Sequence, residues 1–194
     1  MNLLMRVKGL ILDPAAEWSA IEAEETSVAA LYRGYIVYLA AIPPFCGFIG
    51  TYLFGYSRGI LGVVHPSFSG GLARAALQYA LSLPIFYLVA FVVSYLAASF
   101  DGKSDDAKAL SLMAYSYTPA WVAAIFGLVP GLRWLDILGL YGVYVFYLGM
   151  NRMLKCPKDH ADILTLVVLI LSIAAGALHA WIVHLILPWE VISR

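Results

Sequence analysis

Long apolar segments dominate the sequence and restrict the chain to a membrane-spanning fold. About 20 helical residues are needed to cross about 30 Å of hydrocarbon. Five segments approach or exceed that length, at about 34–55, 72–100, 107–128, 133–150 and 163–187. Of the 194 residues, 62% are hydrophobic and only 12% are charged, which is outside the usual range of soluble domains. The sequence therefore predicts an all-α polytopic protein with five transmembrane helices, and the lipid bilayer as its first partner.

The N-terminal 30 residues have a different, amphipathic character. Asp13 and Pro14 form a helix start signal, with Asp as the cap and Pro at the first helical position. The helix that follows carries Trp18 together with four glutamates, Glu17, Glu22, Glu24 and Glu25. We predict an interfacial helix with Trp18 at headgroup depth and the acids in water. An acidic docking face for a cytosolic partner or a cation is the alternative.

Spans three and four are predicted to form a tight helical hairpin. Ser104 is placed to cap span three, and Val129, Pro130 and Gly131 supply the turn. Within span three, Pro119 has no amide hydrogen, so the carbonyl of Tyr115 loses its usual helical partner. We expect Ser116 or Thr118, water or another helix to satisfy that carbonyl.

Small residues recur on one side of each of the last two spans. Such stripes allow a neighbouring helix to approach closely, which is the common basis of helix association in membranes. The candidate packing or interaction residues are Gly139, Gly142 and Gly149 in span four and Ser172, Gly176 and Ala180 in span five.

A second set of candidates consists of polar or helix-breaking residues within the spans. They are Tyr115, Thr118 and Pro119 in span three and His179 and His184 in span five. Ionisable groups in a membrane are costly and are therefore functional candidates. His179 and His184 are five residues apart, which separates them by about 140° around a helix and is poor geometry for joint metal binding. Packing or interfacial hydrogen bonding is the first interpretation, and a proton or metal role is the alternative.

Reactive and nucleic-acid-binding patterns are absent from the sequence. No nucleophile–base arrangement, zinc-type spacing or phosphate-cradling glycine loop occurs. Lysine plus arginine equals aspartate plus glutamate, 12 each, so no basic surplus indicates nucleic acid. We therefore expect no enzyme activity, no cofactor, no metal and no nucleic-acid partner.

Arg133 and Asp136, three residues apart, are predicted to pair at the start of span four.

The distribution of basic residues predicts the orientation of the chain. The N-terminal side of the predicted spans holds Arg6, Lys8, Arg33, Lys103, Lys108, Arg152, Lys155 and Lys158. The opposite side holds Arg58, Arg74, Arg133 and Arg194. By the positive-inside rule residues 1–30 are cytoplasmic, residues 31–188 form the membrane domain, and residues 189–194 form a short extracytoplasmic tail.

Three short runs resemble a known family. They are residues 114–119, 139–144 and 148–150, with the sequences Ala-Tyr-Ser-Tyr-Thr-Pro, Gly-Leu-Tyr-Gly-Val-Tyr and Leu-Gly-Met. They look like the third and fourth spans of the Yip one family, the Ypt/Rab-interacting five-span membrane proteins, and the chain resembles its bacterial branch. The Asp-Leu-Tyr-Gly-Pro sequence of the eukaryotic members is absent.

The resemblance implies a protein of the bacterial inner membrane that organises the membrane or binds other proteins without catalysis. Self-association or binding of other membrane proteins through the small-residue faces would serve that role. The alternative is a channel or transporter for a small solute or ion, because prolines in spans one, two and three free carbonyls that could line a polar path.

Overall fold

The computed structural model describes residues 2–57 and 62–188. Within them, five helices are long and apolar enough to cross a membrane, which confirms the predicted number. They are span one (Val28–Phe54), span two (Phe68–Ser99), span three (Asp106–Leu128), span four (Pro130–Leu154) and span five (Asp159–Ile186). A small antiparallel hairpin, β1 (Tyr56–Ser57) and β2 (Val63–Val64), lies between spans one and two. The predicted tail at 189–194 lies outside the described residues.

Two short helices, α1 (Leu3–Leu12) and α2 (Pro14–Glu22), precede the spans. The predicted start signal between them is confirmed, because the Asp13 side chain accepts a hydrogen bond from the Ala16 amide at 3.0 Å. Leu10 of α1 is fully buried, whereas Leu4 on another side of the helix is exposed. One side of α1 therefore packs against the bundle.

Trp18 is not a side chain on the outer surface of an interfacial helix, as the amphipathic pattern predicted. Trp18 is fully buried, and its indole Nε1 donates a hydrogen bond to the carbonyl of Val145 in span four at 2.9 Å. A buried indole needs such a partner for its N–H group. Trp18 thus holds α2 in the protein core, and the sequence could not distinguish this from a membrane anchor.

Span one is broken near its middle, as its adjacent prolines predict. It contains a π-helical segment, Tyr32–Ile36, and a turn immediately before the second helical part, Ile42–Phe54. Tyrosines bridge this irregular region to span two. The Tyr79 hydroxyl donates to the Val37 carbonyl at 2.9 Å, and the Tyr32 hydroxyl donates to the Leu83 carbonyl at 2.7 Å. These bonds tie the irregular part of span one to the backbone of span two and pair hydroxyls that water cannot reach inside a bilayer.

Span three begins one residue later than the predicted cap. Asp105, rather than Ser104, is the N-cap, and its side chain accepts from the Lys108 amide at 2.9 Å. Ser104 instead pairs with Ser94 of span two at 3.1 Å. The span has two α-helical parts, separated at Tyr117, and ends in a 3₁₀ segment, Ala124–Leu128.

Span four starts with a long 3₁₀ segment, Pro130–Leu140, before its α-helical part, Tyr141–Leu154. A 3₁₀ helix rises about 2.0 Å per residue, against 1.5 Å for an α-helix. The 11 residues of the 3₁₀ segment therefore cover about 22 Å. Span four, which was predicted over only 18 residues at 133–150, is therefore long enough to cross the hydrocarbon.

Span three lies at the centre of the bundle and span five at its edge. In span three, 67% of the residues of the apolar stretch are buried inside the protein, whereas in span five the share is 11%. Span three contacts the N-terminal helices and spans one, two and four, whereas span five packs on spans two and four. The outer side of span five therefore faces lipid or another protein.

Candidate functional site

The proline break in span three is filled by side chains from the same chain. Thr118 is fully buried, and its hydroxyl donates to the Ala114 carbonyl at 3.2 Å. The Tyr35 hydroxyl of span one lies 2.6 Å from Thr118 Oγ1 and is the donor in that pair, because the Thr118 proton is already used. Pro119 is buried and lies beside Gly142. On the side of Gly142 the break thus borders a close contact with span four, while Ser116 and Tyr117 beside it line a cavity described below.

Tyr115, the other candidate in this part of span three, lies in a buried aromatic cluster. Its ring makes edge-on contacts with Tyr35 and Trp18, with centroid distances of 4.9 and 6.1 Å. All three side chains are fully buried. Edge-to-face packing of this kind stabilises aromatic pairs beyond the burial of their area.

A buried arginine from α1 joins the aromatic cluster. Arg6 is only 5% exposed, and its guanidinium lies 5.4 Å from the centre of the Tyr115 ring. It forms ion pairs with Glu17, at 2.6 Å, and with Glu24. A buried charge must be paired to persist, so these contacts tie α1 and α2 together above span three.

A further glutamate joins α2 to the end of span four. Glu22 forms ion pairs with Lys155 and, at 3.6 Å, with Arg152. The hydrogen bond from Lys155 and the positive charges of both residues hold the pKa of Glu22 below its ordinary value of 4.5. Because Glu17, Glu22 and Glu24 all have basic partners within the chain, they do not form the free acidic docking face that was the alternative prediction.

The three glycines of span four face neighbours inside the chain. A Cβ at Gly139 would lie 3.0 Å from the Ala120 Cα, and one at Gly142 would overlap the carbonyl oxygen of Ser116. At Gly149 a Cβ would overlap the Trp18 ring. These glycines bring span four against span three and α2, so their side of the helix is already occupied.

The small residues of span five have a different environment. Gly176 and Ala180 are exposed, and a Cβ at Gly176 would meet no atom within 4 Å. Ser172 is partly buried and interacts with the Tyr117 side chain of span three. The stripe therefore runs from the edge of the bundle to its outer surface.

The two histidines of span five are separated by the structure. His179 is partly buried, and its Nε2 lies 3.0 Å from the Gln78 carbonyl of span two, so Nε2 is the protonated nitrogen. His184 is exposed. No group of three His, Cys, Asp or Glu side chains among the described residues could hold a metal ion.

Sequence reasoning used Arg74 only as a basic residue on the extracytoplasmic side, whereas the structure shows it 6% exposed near the start of span two. Its guanidinium donates to carbonyls at the end of span five, those of Leu187 and, at 3.5 Å, Val183. The Val183 carbonyl also accepts from the Leu187 amide at 2.9 Å. The end of a helix carries the negative end of its dipole, so a cation there is favourable. The one signal in the sequence was an arginine among apolar residues.

Two of the cavities in the described part of the chain lie between the spans. The smaller, which we call the lateral cavity, has a volume of about 310 Å³ and lies between spans three, four and five. Its walls are mainly apolar, but they include Ser116, Thr165 and Ser172.

The larger, which we call the polar cavity, has a volume of about 1000 Å³ and is lined by all five spans. Its polar lining includes Thr51, Arg74, Gln78, Arg133, Asp136 and His179. Arg133 and Asp136 are both exposed. The predicted ion pair between them is not among the ion pairs of the described residues. Pro43 and Pro44, at the break in span one, also line this cavity.

Comparison with known proteins identifies the family. The model of the Yip1 domain matches residues 8–179. The chain is 29% identical, over 161 residues, to the inner membrane protein YohC of Escherichia coli K12, and equally to YohC of E. coli O6:H1 strain CFT073. Each match covers 80% of this chain and 82% of the relative. No solved structure matches.

The Yip1 match includes α2, the five spans as far as His179 and the glycine contacts of span four. The predicted family is therefore confirmed, together with the multi-pass membrane character and the homology to an inner membrane protein. The chain belongs to the Yip1 domain family of integral membrane proteins.

Proposed function

We propose that this protein is a non-catalytic scaffold of the inner membrane, which associates with a second copy of itself through one flank of span five. The surface consists of Ser172, Gly176 and Ala180, which we call the span-five stripe. The observation that carries the proposal is the open space at Gly176, where a Cβ would meet nothing within 4 Å. The glycines of span four, in contrast, are occupied within the chain.

The chemistry of the stripe supports association between helices. Lipid tails are as apolar as aliphatic side chains, so helices in a membrane associate through close backbone approach rather than through a hydrophobic driving force. Small residues four apart permit that approach over successive turns. An identical stripe on a second copy provides a self-complementary surface, as a twofold dimer requires.

The proposed orientation places the N-terminus in the cytoplasm and the C-terminus outside it. The basic residues counted above support it through the positive-inside rule. Reporter fusions test the arrangement: a reporter active only in the periplasm is expected to work at the C-terminus and to fail at the N-terminus. Equal activity at both ends would contradict the five-span arrangement.

Cysteine crosslinking tests the dimer. Gly176→Cys, in a Cys46→Ala background, is expected to give a disulfide-linked dimer on mild oxidation in membranes, because the stripe lies near the twofold axis. Ala174→Cys is the matched control, since Ala174 is exposed at a similar depth and points about 160° away around the helix. Equal dimer formation at both positions indicates random collision and contradicts the proposal, and so does its absence at Gly176.

A second candidate function is the passage or binding of a small polar solute. It is favoured by the polar cavity, whose lining combines Arg74, Gln78 and His179 with the broken part of span one. Broken helices that line a cavity are typical of transporter sites.

Flux into proteoliposomes separates the two functions. His179→Ala removes a group from the cavity wall and is expected to change flux if the protein conducts. His184→Ala is the control, because His184 is exposed elsewhere on the same helix. If liposomes that contain the wild type or either variant show the same flux as empty liposomes, the protein does not conduct the solute and this second candidate function is excluded.

A further inference from the structure

We propose that the lateral cavity is a binding site for an elongated apolar molecule from the bilayer that carries a carbonyl oxygen. The site would hold the apolar part among spans three, four and five, and the hydroxyls of Ser116 and Thr165 would donate to the carbonyl. This inference does not rest on the span-five stripe. Ser172 belongs to both, but Gly176 and Ala180 do not line the cavity.

The position and shape of the cavity indicate an apolar ligand from the membrane. Leu140 of span four and Ile173 of span five are 59% and 64% exposed, and both line the cavity. The cavity is therefore continuous with the lipid-facing surface between these two spans. Its lining follows span five from Thr165 to Ile173, which is about 12 Å along the axis. Its volume of about 310 Å³ is at the lower end of the range for small-molecule sites.

Two buried hydroxyls give the site its chemical preference. Ser116 is 3% exposed, and neither its Oγ nor Thr165 Oγ1 has a hydrogen-bond partner in the described residues. Both residues line the lateral cavity, from spans three and five. Buried polar groups without partners are rare, because each carries an uncompensated desolvation cost. A ligand that accepts hydrogen bonds from these hydroxyls would remove that cost.

The rest of the lining indicates that the acceptor is neutral. The charged residue in the lining is Asp136, which is exposed near the start of span four and would repel an anion. The walls around Ser116 and Thr165 include Met113, Val168 and Leu169. An apolar wall with a few placed hydroxyls suits an uncharged carbonyl group, such as that of an acyl ester or of a protonated fatty acid.

Photolabelling tests the site and separates the two sources of the carbonyl. The full-length protein is placed in vesicles of phosphatidylethanolamine and phosphatidylglycerol. One sample contains diazirine-bearing palmitic acid, and the other contains phosphatidylcholine with the same diazirine-bearing chain. Mass spectrometry is expected to find label in residues 113–120 and 165–173 for at least one probe, and the more efficient probe identifies the source.

Matched variants give the expected changes. Val143→Trp fills the cavity and is expected to abolish labelling of these segments. Ser116→Ala and Thr165→Val each remove one donor and are expected to weaken labelling about twofold to tenfold. Ile170→Phe adds bulk to an exposed position outside the lining and is expected to leave labelling unchanged. Labelling that none of the cavity variants reduces, or that occurs only outside these segments, overturns the proposal.

Thermal unfolding in lipid-free detergent gives an independent readout. Ser116→Ala is expected not to lower the melting temperature, because the hydroxyl makes no bond within the chain, and to reduce the stabilisation produced by added palmitic acid or phosphatidylcholine. A lower melting temperature without lipid would mean that Ser116 bonds within the protein, which overturns the proposal. Equal stabilisation of wild type and variant by the lipid would overturn it too.

Discussion

Replacing Gly149 with alanine tests the contact that docks α2 on span four. The new Cβ would overlap Cε2 and Cζ2 of the Trp18 ring, so the ring would have to move by about 1 Å to restore an ordinary carbon–carbon contact. Trp18 resists this movement because it is fully buried and bonded to the Val145 carbonyl at 2.9 Å. Leu112 Cδ1, at 2.7 Å from the new Cβ, belongs to a flexible side chain that can turn away.

The magnitude follows from two opposing effects. Overpacking of a filled core costs about 1–3 kcal/mol. Alanine in a helix interior recovers about 0.5–1 kcal/mol relative to glycine. Gly149→Ala is therefore expected to destabilise the protein by up to about 2.5 kcal/mol. In a Trp18→Ala background the overlap is absent, and the same substitution is expected to stabilise by about 0.5–1 kcal/mol.

Unfolding of the four proteins in mixed micelles of a mild detergent and dodecyl sulfate measures this coupling. The expected interaction free energy between the two positions is about 1–3 kcal/mol. Gly47→Ala is the control, because its Cβ would meet no atom within 4 Å, and it is expected to stabilise slightly. The same effect of Gly149→Ala with and without Trp18 would refute the close contact as the reason for a glycine at this position.

Further predictions concern the break in span three, the end of span five and the loop after span four. Thr118→Val is expected to lower the free energy of unfolding by about 1–2 kcal/mol. The double variant Thr118→Val, Tyr35→Phe is expected to lose less than the sum of the two single variants, because the two hydroxyls share one hydrogen bond. Arg74→Met is expected to accelerate amide hydrogen exchange in the last turn of span five by about tenfold to a hundredfold, with the middle of the span unchanged; exchange equal to wild type would remove the capping role. Because the pKa of Glu22 is lowered in the folded state, its contribution to stability is present above about pH 4.5 and is lost as the pH falls below that value. Glu22→Gln is expected to cost at most about 1 kcal/mol at pH 7, as the pair with Lys155 is partly exposed, and to flatten the stability profile below pH 4.5.

The sequence predicted what depends on local composition and backbone chemistry. The five apolar segments, the Asp13–Pro14 start, the breaks at Pro43 and Pro119 and the turn before span four are all found in the structure. These features follow from hydropathy and from the missing amide of proline, which act within a few residues. The Yip resemblance likewise rested on short local runs, residues 114–119, 139–144 and 148–150.

The candidate site was less accessible to sequence reasoning, because it depends on which side of a helix is covered. Gly142 and Gly176 look alike in sequence, yet Gly142 contacts the Ser116 carbonyl and Gly176 has open space around it. Trp18 in an amphipathic segment is typical of a membrane-surface anchor, yet it is a core residue. Ser104 was predicted to cap span three, yet Asp105 is the N-cap and Ser104 pairs with Ser94 on span two.

By itself, then, the sequence determined five segments long and apolar enough to cross the bilayer and the proline breaks in spans one and three, since hydropathy and the missing proline amide act on each segment separately. Only the tertiary structure decided that α1 and α2 enter the core, that Arg74 caps span five and that unpaired hydroxyls line a cavity open to lipid. The physical reason is that burial and hydrogen-bond partners are properties of pairs of helices, which no single stretch of residues encodes.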